Sequence, residues 1–566
     1  MNAYNLGQPE GWNIQKTWIN RYLPFLAISL TCLILHGLIF LNERPFWDGL
    51  IILHLLKTRN WPDLYRWFSE AGLPSFACFY WGIGAWTSNP VLAYRATTFL
   101  SLLLNSLAFY GACRFFTLPK TTATLLAILA LAYPVHASEE MILTPYHVFI
   151  SFFYLSVLLS LYGKNSDGLR RKAIRLISLA GFFLSFSAES LLAFYAGFLG
   201  LFFVYILRKE TIGKEKTIVR SLLTIASRHL DYLVLPFLYF TLKHIFFHPY
   251  GNFSDYNKIR LDFQPFISSY WGFLKNAFFF PINSAISFYG PLEVMVVLTL
   301  LSFFYDRISP TAPSGRPLGR IGIILWILGV TAYVLAQKSP SILGISTRFE
   351  ILLGVPTSLL LLGLLQFWVP DSRCRGILYL FLIAAFTFIT WKNHLDWQGR
   401  TVKDLALVRC LKRTPPPTDY STFFIDDTMP LFCERNGKIY KIYDHTVPYE
   451  WGLLFRDVSN DKVRIGVSEK NDQEFQTYLK DWLACQQTFR FGFSKWQYNG
   501  KVCRMKIIYG APEWGQSGRI KEWDPCNIGL KFLALKLTRP LERQNEFLDN
   551  LLRIEYRDMD TQKILP

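Results

Sequence analysis

Long apolar runs separated by short polar stretches fill the first 391 residues of the chain. The first run, 23–41, is long enough as a helix to cross a hydrocarbon core of about 30 Å. No small-residue cleavage pattern follows it, so we interpret it as a retained membrane helix and not as a cleaved signal. Ten further runs bring the predicted number of transmembrane helices to about 11: 91–113, 121–133, 141–162, 174–187, 191–207, 230–247, 292–305, 321–336, 351–368 and 377–391.

The segment 42–90 lies between the first two spans and has a different pattern. It contains short amphipathic and aromatic stretches, of which 76–86 is only about 11 residues long and too short to cross a bilayer. Such a stretch is typical of a segment that lies at the membrane interface or re-enters it. Because 71–88 and 265–290 are both ambiguous, counts of about ten to thirteen spans stay open.

After residue 391 the apolar runs become short and alternate with polar residues. This pattern predicts an α+β domain over 392–566, following a membrane domain over 1–391. Pro540 is well placed to begin a closing helix that runs to about residue 557. The predicted strands are 421–425, 438–443, 463–467, 488–493 and 502–509.

Composition agrees with this division. The chain is 51% hydrophobic with a mean hydropathy of +0.23, which is too apolar for an ordinary soluble protein of 566 residues. Of the 100 charged residues, 49 fall within 1–391 and 51 within the last 175. The charged fraction therefore rises from roughly an eighth to nearly three tenths at the predicted boundary.

Much of the net charge of +18 is explained by membrane topology rather than by nucleic-acid binding. Most Lys and Arg clusters of the first 391 residues fall in alternate connections between spans, which identifies those connections as cytoplasmic. The pattern predicts an integral membrane protein with a cytoplasmic N-terminus and an extracytoplasmic C-terminal domain. The scarcity of glycosylation sequons favours a bacterial inner membrane, and hence a periplasmic tail, over the endoplasmic reticulum.

Two acidic residues, Glu43 and Asp48, follow the first span directly. A charged group beside the bilayer is costly unless it faces water, a partner or a substrate. Asp48 fits a helix N-cap for the segment 49–56. It equally fits a general base beside an acceptor hydroxyl, or a metal ligand, and these roles are compatible.

A second acidic group follows the short third span. Glu139 and Glu140 come after His136, and two carboxylates with an imidazole are able to bind a divalent cation such as Mg²⁺ or Mn²⁺, or to orient a sugar. An ordinary solvated loop is the alternative. The sequence does not identify a cofactor, but if a metal binds, Asp48, Glu139 and Glu140 are its candidate ligands.

Several other charged residues lie at the ends of predicted spans. Glu189 separates two apolar runs, so it must face water or pair internally. Arg348 is the strongest phosphate candidate because a guanidinium holds a phosphate with two parallel hydrogen bonds. Lys338 and Arg260 are weaker candidates, and Arg95 lies within the start of the second span.

Four short motifs occur in order along the membrane domain: Phe46-Trp47-Asp48-Gly49, Tyr133-Pro134-Val135-His136-Ala137-Ser138-Glu139, Phe186-Ser187-Ala188-Glu189 and Ser346-Thr347-Arg348-Phe349. Together with the Tyr94-Arg95 pair in the second span, they resemble the GT-C class of polytopic glycosyltransferases, and in particular its O-mannosyltransferase-like members. That class takes a sugar from a polyprenyl or dolichyl phosphate.

The resemblance implies a GT-C-like membrane domain and an inverting transfer on the outer face. Asp48 would be the base that activates the acceptor hydroxyl, with Glu43 nearby, and Arg348 would hold the departing polyprenyl phosphate. Glu139, Glu140 and Glu189 would shape the sugar pocket or a metal site. The implied partners are a polyprenyl-phosphate-linked sugar, membrane lipid and a glycan, lipid or protein acceptor, without nucleic acid.

Two other functions remain open. A lipid or oligosaccharide transporter or flippase would be expected to carry inverted repeats with broken helices, and no clear repeat is visible in this sequence. A non-catalytic scaffold in cell-envelope glycan assembly would keep the membrane domain without the reaction. The lone Asp48, where the class carries an acidic pair, and Ala188, where it carries Lys, keep the scaffold hypothesis open.

Overall fold

The computed structural model describes most of the membrane part and about three fifths of the tail. Described are residues 10–46, 48–135, 138–139, 144–164, 166–211, 218–254, 263–288, 316–338, 344–427, 432–435, 438–441, 448–456, 458, 464–467, 500–509, 525–559 and 564–565. Within these residues the protein is mostly helical, with a small sheet near the C-terminus.

Sixteen α-helices precede the first strand among the described residues. They are α1 (Glu10–His36), α2 (Asp48–Lys57), α3 (Trp61–Glu70), α4 (Pro74–Gly84), α5 (Pro90–Phe115), α6 (Lys120–Ala132), α7 (Thr144–Gly163), α8 (Gly168–Ser185), α9 (Leu191–Thr211), α10 (Ile218–Arg228), α11 (Leu230–Phe246), α12 (Phe263–Phe273), α13 (Phe280–Phe288), α14 (Arg316–Leu335), α15 (Gly354–Trp368) and α16 (Ser372–Arg413).

Six helical segments within the described chain are long and apolar enough to cross a membrane by length and composition. They are Tyr22–Leu41, Pro90–Phe115, Thr144–Gly163, Leu191–Arg208, Pro317–Leu335 and Cys374–Arg413. Two shorter apolar helices, Lys120–Ala132 and Gly354–Trp368, accompany them. The protein is therefore an integral membrane protein, as the apolar runs predicted. The predicted span 292–305 lies outside the described residues.

The segment between the first two long spans forms three short helices, α2, α3 and α4, and not an open loop. Each has a sequence reason: Asn60 accepts a hydrogen bond from the Asp63 amide at the start of α3, and Pro74 occupies the first turn of α4. Leu55, Leu64 and Phe76 bury their side chains in a core shared with α5, α7 and α9. The turn that carries Asp48 is therefore anchored to the helical bundle.

The described tail contains a five-stranded mixed sheet, a hairpin and three helices. The sheet order is β4–β1–β5–β6–β7, in which β1 is parallel to β4 and β5, whereas β6 is antiparallel to β5 and β7. The elements are β1 (Thr422–Asp427), β2 (Phe432–Arg435), β3 (Lys438–Lys441), α17 (Pro448–Arg456), β4 (Ile465–Val467), β5 (Val502–Tyr509), α18 (Pro525–Thr538), α19 (Leu541–Leu551), β6 (Leu552–Asp558) and β7 (Ile564–Leu565).

The predicted closing helix is wrong in its second half. The helix ends at Leu551, and Leu552–Asp558 is a strand paired with β5. Leu552, Ile554 and Tyr556 alternate with polar residues and are buried, which is the period of a strand with one face in the core. The predicted strand 488–493 lies outside the described residues.

Helix α16 joins the membrane part to the tail without a break. It runs from Ser372 to Arg413 and so crosses residue 391, where the composition changes. Its last turns contribute Val402, Leu407 and Leu411 to the core of the tail. The tail therefore packs directly on a helix that begins in the bundle.

Candidate functional site

Arg95 joins the first two predicted motifs. Its guanidinium is buried in α5, where Nη1 donates to the Glu139 carbonyl oxygen at 2.9 Å and Nη2 donates to the Arg44 carbonyl oxygen at 3.2 Å. A planar guanidinium fixes both the distance and the direction of two such bonds. The turn before Asp48 and the turn containing Glu139 are thus held together by one side chain.

Asp48 is the first residue of α2 and is partly exposed. The positive end of the helix dipole stabilises a carboxylate at this position. Burial, followed by the neighbouring Tyr94 and the Asp48 carboxylate, raises the pKa of the Tyr80 phenol, which places Asp48 near the Tyr80 ring. Asp48 therefore lies partly exposed at a helix N-terminus and close to the Tyr80 ring.

The turn before Asp48 is also fixed from the other side, by α16. Thr401 donates a hydrogen bond to the Asn42 amide oxygen, and the Phe46 ring packs on Trp397 with centroids 4.7 Å apart. Asn42 and Phe46 are buried. Side chains on both sides of the turn thus restrict where Asp48 can move.

Glu139 is buried and lies against two imidazoles. Its Oε2 is 3.2 Å from His36 Nδ1, and the His36 and His394 rings are nearly perpendicular with centroids 5.9 Å apart. The three side chains come from α1, the turn after α6, and α16, and all three are buried. Sequence analysis identified Glu139 but missed both histidines.

The turn that contains Glu350 packs against the turn that leads to Glu139. The carboxyl of Glu350 lies close to the Tyr133 phenol, which begins the turn leading to Glu139. Gly354, at the start of α15, lies so close to α6 that an added methyl group would approach the Ala130 carbonyl oxygen to 2.7 Å. Burial raises the pKa of the fully buried Glu350 carboxyl to about 8, so this group is mostly neutral at pH 7.

Arg348 and Lys338 share one aromatic ring. The Arg348 guanidinium lies 4.9 Å from the centroid of Phe349, and the Lys338 ammonium lies 6.0 Å from it. Burial, and then the positive charge of Arg348, lowers the pKa of the Lys338 amine. Two cations held this close create a local positive field that suits an anionic group.

The turn that contains Glu189 is connected to the pair Arg348 and Lys338. Tyr333 donates a hydrogen bond to Ser190 Oγ at 3.3 Å, and its ring lies 5.8 Å from that of Phe349. Glu189 itself forms an ion pair with Lys243 of α11, as expected for an acidic residue between apolar helices. The four predicted motifs are therefore linked to one another through buried or half-buried contacts.

Glu43 lies apart from these contacts. Its side chain is 57% exposed and pairs with Lys536 of α18, so it connects the first turn to the tail. Arg456 of α17 also reaches this region and donates to the His54 imidazole of α2 at 3.0 Å. The tail therefore contacts the segment that carries Asp48 at two points.

Three predicted site residues, His136, Glu140 and Arg260, lie outside the described residues. Three residues that the sequence analysis missed, His36, His394 and Glu350, are buried within the linked turns. His36 carried a usable signal, because an ionisable side chain inside an apolar span is expensive and is usually functional. His36 lies within the first apolar run, 23–41, and was not considered separately from it.

Comparisons of the chain with protein-family models, with curated proteins and with solved structures find no match. The functional conclusion therefore depends on the chain's own residues and their geometry.

Proposed function

We propose that this chain is a membrane glycosyltransferase. It would move a sugar from a polyprenyl-phosphate donor to an acceptor hydroxyl, with inversion at the anomeric carbon. The acceptor class is a glycan, a lipid or a protein. The donor is itself a membrane lipid, which is consistent with a site built at the ends of membrane helices.

The observation that carries this proposal is the linkage of the four turns. Arg95 connects the Asp48 turn to the Glu139 turn, and Glu350 lies against the start of that second turn. Tyr333 then connects the Arg348 region to Ser190. Motifs separated by about 300 residues in sequence thus form one continuous set of contacts, as a shared substrate site requires.

In the proposed reaction Asp48 is the general base. As the acceptor oxygen attacks the anomeric carbon, its proton passes to the Asp48 carboxylate and a new carbon–oxygen bond forms. The bond from that carbon to the phosphate oxygen breaks, and the electron pair leaves with the polyprenyl phosphate. General-base catalysis of this kind typically contributes about 10²–10⁴ in rate.

Arg348 is the residue we assign to the departing phosphate. Its guanidinium can donate two parallel hydrogen bonds to phosphate oxygens, and Lys338 adds a second positive charge beside it. Both cations therefore favour the negative charge that accumulates on the leaving group. Glu189, held by Lys243, would line the sugar pocket.

The proposal includes a GT-C-like arrangement of about 11 spans, with the N-terminus in the cytoplasm. The tail would then lie in the periplasm of a bacterial cell. Contacts of Lys536 and Arg456 with the segment carrying Asp48 support a role for the tail in orienting the acceptor.

The test is consumption of a polyprenyl-phosphate-sugar by the purified protein in nanodiscs, across a panel of common sugars. We expect Asp48→Asn to lower the turnover number by about 10²–10⁴, because the amide cannot accept the proton. Arg348→Lys should lower turnover less, since it keeps the charge but loses the second hydrogen bond.

Matched controls are Asp167→Asn and Arg320→Lys. Asp167 precedes α8 as Asp48 begins α2, and both Asp167 and Arg320 are exposed at other positions of the bundle. Both control variants should keep wild-type turnover. Full activity in Asp48→Asn would exclude it as the base. Donor binding without any wild-type turnover would favour the scaffold hypothesis instead.

A further inference from the structure

The cluster of His36, Glu139 and His394 has no role in the proposed transfer reaction. The ligand atoms of these three side chains, one imidazole nitrogen each and a carboxylate oxygen, all lie within 4.8 Å of one another. None of the three side chains is more than 5% exposed. A group of this chemistry in a dry environment requires an explanation of its own.

Hydrogen bonding defines the protonation of the His36 ring. Nε2 lies 3.3 Å from the Leu131 carbonyl oxygen, which can only accept, so Nε2 carries a proton and donates. In the neutral ring the lone pair is then on Nδ1, which faces Glu139 Oε2 at 3.2 Å. Two electron-rich atoms this close repel each other unless a cation or a second proton lies between them.

The same hydrogen bond is characteristic of metal-binding histidines. A histidine ligand usually donates its other ring N–H to a carbonyl or carboxylate, and this bond fixes the tautomer and the ring orientation. His36 has this arrangement, with Leu131 as the outer partner and Nδ1 directed at the carboxylate.

The spacing also suits a metal ion. An ion with bonds of about 2.0–2.2 Å in tetrahedral geometry holds neighbouring ligand atoms about 3.4 Å apart. The His36–Glu139 separation of 3.2 Å is close to that value. The other separations within the group are at most 4.8 Å, so the three ligand atoms surround one small common volume.

We propose that His36, Glu139 and His394 bind a divalent transition-metal ion, with Zn²⁺ the best match. Two imidazoles and one carboxylate form a known ligand set for zinc, and imidazole favours Zn²⁺ or Fe²⁺ over Mg²⁺. This ligand set shares Glu139 with the oxygen-ligand cation site suggested by the acidic pair Glu139–Glu140, but its other two ligands are the imidazoles of His36 and His394. It goes beyond the transferase proposal and does not depend on it.

The ion would connect three separate parts of the fold. His36 lies at the end of α1, Glu139 in the second turn, and His394 in the middle of α16. The carbonyl of Glu139 also receives the Arg95 hydrogen bond that fixes the Asp48 turn. The metal would therefore have a structural role, in which it holds α1 and α16 against the turns that carry the candidate site.

The experiment measures metal content and not activity. The full-length protein, purified in detergent without a polyhistidine tag, is stripped with a chelator and reloaded with Zn²⁺, Co²⁺, Mn²⁺ or Mg²⁺, each tested singly. We expect about one tightly held Zn²⁺ or Co²⁺ per chain, no retained Mg²⁺, and a visible Co²⁺ spectrum typical of nitrogen ligands. Chelation should lower the melting temperature, and Zn²⁺ should restore it.

Ligand variants and matched histidine controls identify the site. His36→Gln, His394→Gln and Glu139→Gln should each weaken Zn²⁺ binding by at least about 10–100-fold. His147→Gln, another buried histidine, and His248→Gln, an exposed one, should bind as the wild type does. Size-exclusion profiles identify any variant that fails to fold.

The wild-type protein alone is sufficient to test the proposal, even if a ligand variant fails to fold. If wild-type protein retains none of these ions, or shows no change in melting temperature on chelation, the proposal is overturned and His36 and Glu139 form an ion pair through a proton. It is equally overturned if His36→Gln and His394→Gln keep full zinc binding. Neither result bears on sugar transfer, which the Asp48→Asn assay tests separately.

Discussion

The two halves of helix α16 differ in burial and in chemistry, because the second half is more buried and holds most of the buried polar side chains of the helix. Its first half contributes apolar side chains to the bundle, among them Tyr379, Ala385 and Phe386, which are at most 1% exposed. Its second half buries eight polar side chains, each at most 5% exposed: Asn393, His394, Asp396, Gln398, Arg400, Thr401, Lys403 and Asp404.

The difference shows what each half packs against. The first half meets other apolar helices, where a polar group would find few partners. The second half lies between the Asp48 turn, α18 and the sheet, and its charges are paired internally, as in Arg400 with Asp404 and Lys403 with Asp427. Burial in the first half therefore involves mainly apolar residues, whereas in the second half it combines an apolar core with charges that lie beside opposite charges.

The largest effect is expected from breaking the Arg400–Asp404 pair. The two groups are 3.3 Å apart and fully buried. Arg400→Leu removes the positive charge beside a buried carboxylate, which should cost about 3–5 kcal/mol of unfolding free energy. Thermal or denaturant unfolding in detergent measures the loss, and limited proteolysis should show release of the tail.

The double variant Arg400→Leu/Asp404→Leu sharpens the comparison. Because it removes both charges, it should recover most of the lost stability and make the second half resemble the first. Arg413→Leu is the control on the same helix, since Arg413 is 49% exposed beside Asp549 and should cost at most about 1 kcal/mol. Equal losses for Arg400→Leu and Arg413→Leu would refute the burial argument.

A smaller effect is expected where α16 crosses α18. A methyl group at Gly399 would lie 2.1 Å from the Pro525 carbonyl oxygen, so the two backbones must separate. Gly399→Ala should therefore destabilise this crossing by about 1–3 kcal/mol, despite the higher helix propensity of Ala. Proteolytic release of the tail and the melting temperature both report the change.

Gly200→Ala in α9 is the matched helical control for Gly399→Ala. A methyl group there meets no atom within 4 Å, so the variant should keep or slightly raise the melting temperature. If Gly399→Ala proved as stable as Gly200→Ala, the close approach of α16 and α18 would be excluded.

The smallest effect concerns the exposed end of α16. Arg409 donates to both carboxylate oxygens of Asp549, at 2.7 and 2.9 Å, and this interaction lowers the pKa of Asp549 below its ordinary value of 3.8. A lowered carboxyl pKa stabilises the fold above the unfolded value and loses that stability as pH falls through the folded value. The half-exposed pair should contribute about 0.2–1 kcal/mol.

Asp549→Asn tests this pair through pH. The stability difference from wild type should be constant from about pH 5 upward and should shrink below about pH 4. Unfolding curves across this range measure the difference. A difference that grew as pH fell would contradict the assigned direction of the pKa shift.

Several features could be predicted from local sequence. The apolar runs predicted a membrane protein, and 91–113, 121–133 and 141–162 fall on helices α5, α6 and α7 within a few residues. Strand predictions at 421–425 and 502–509 fall on β1 and β5. Each of these elements has a continuous apolar run or a two-residue alternation that the chain displays directly.

Other features could not be predicted because they depend on distant partners. The change from helix to strand at Leu552 occurs because β5 supplies a pairing edge, although Leu541–Leu551 and Leu552–Asp558 are similarly polar. The continuation of α16 past residue 391 depends on packing against α18 and the tail core. Composition marks the change in polarity there but does not indicate that one helix spans it.

By itself the sequence determined that this protein lies in a membrane, where helices such as α5, α6 and α7 begin and end within a few residues, and that a more polar region of mixed structure follows. These properties depend only on the side chains within each segment and on whether those side chains are stable in lipid or in water. Only the tertiary structure decided that Arg95 joins two distant turns, that His36 and His394 meet at Glu139, and which buried charges pair. Those contacts depend on the packing of segments far apart in the chain, and no local pattern specifies a partner across such distances.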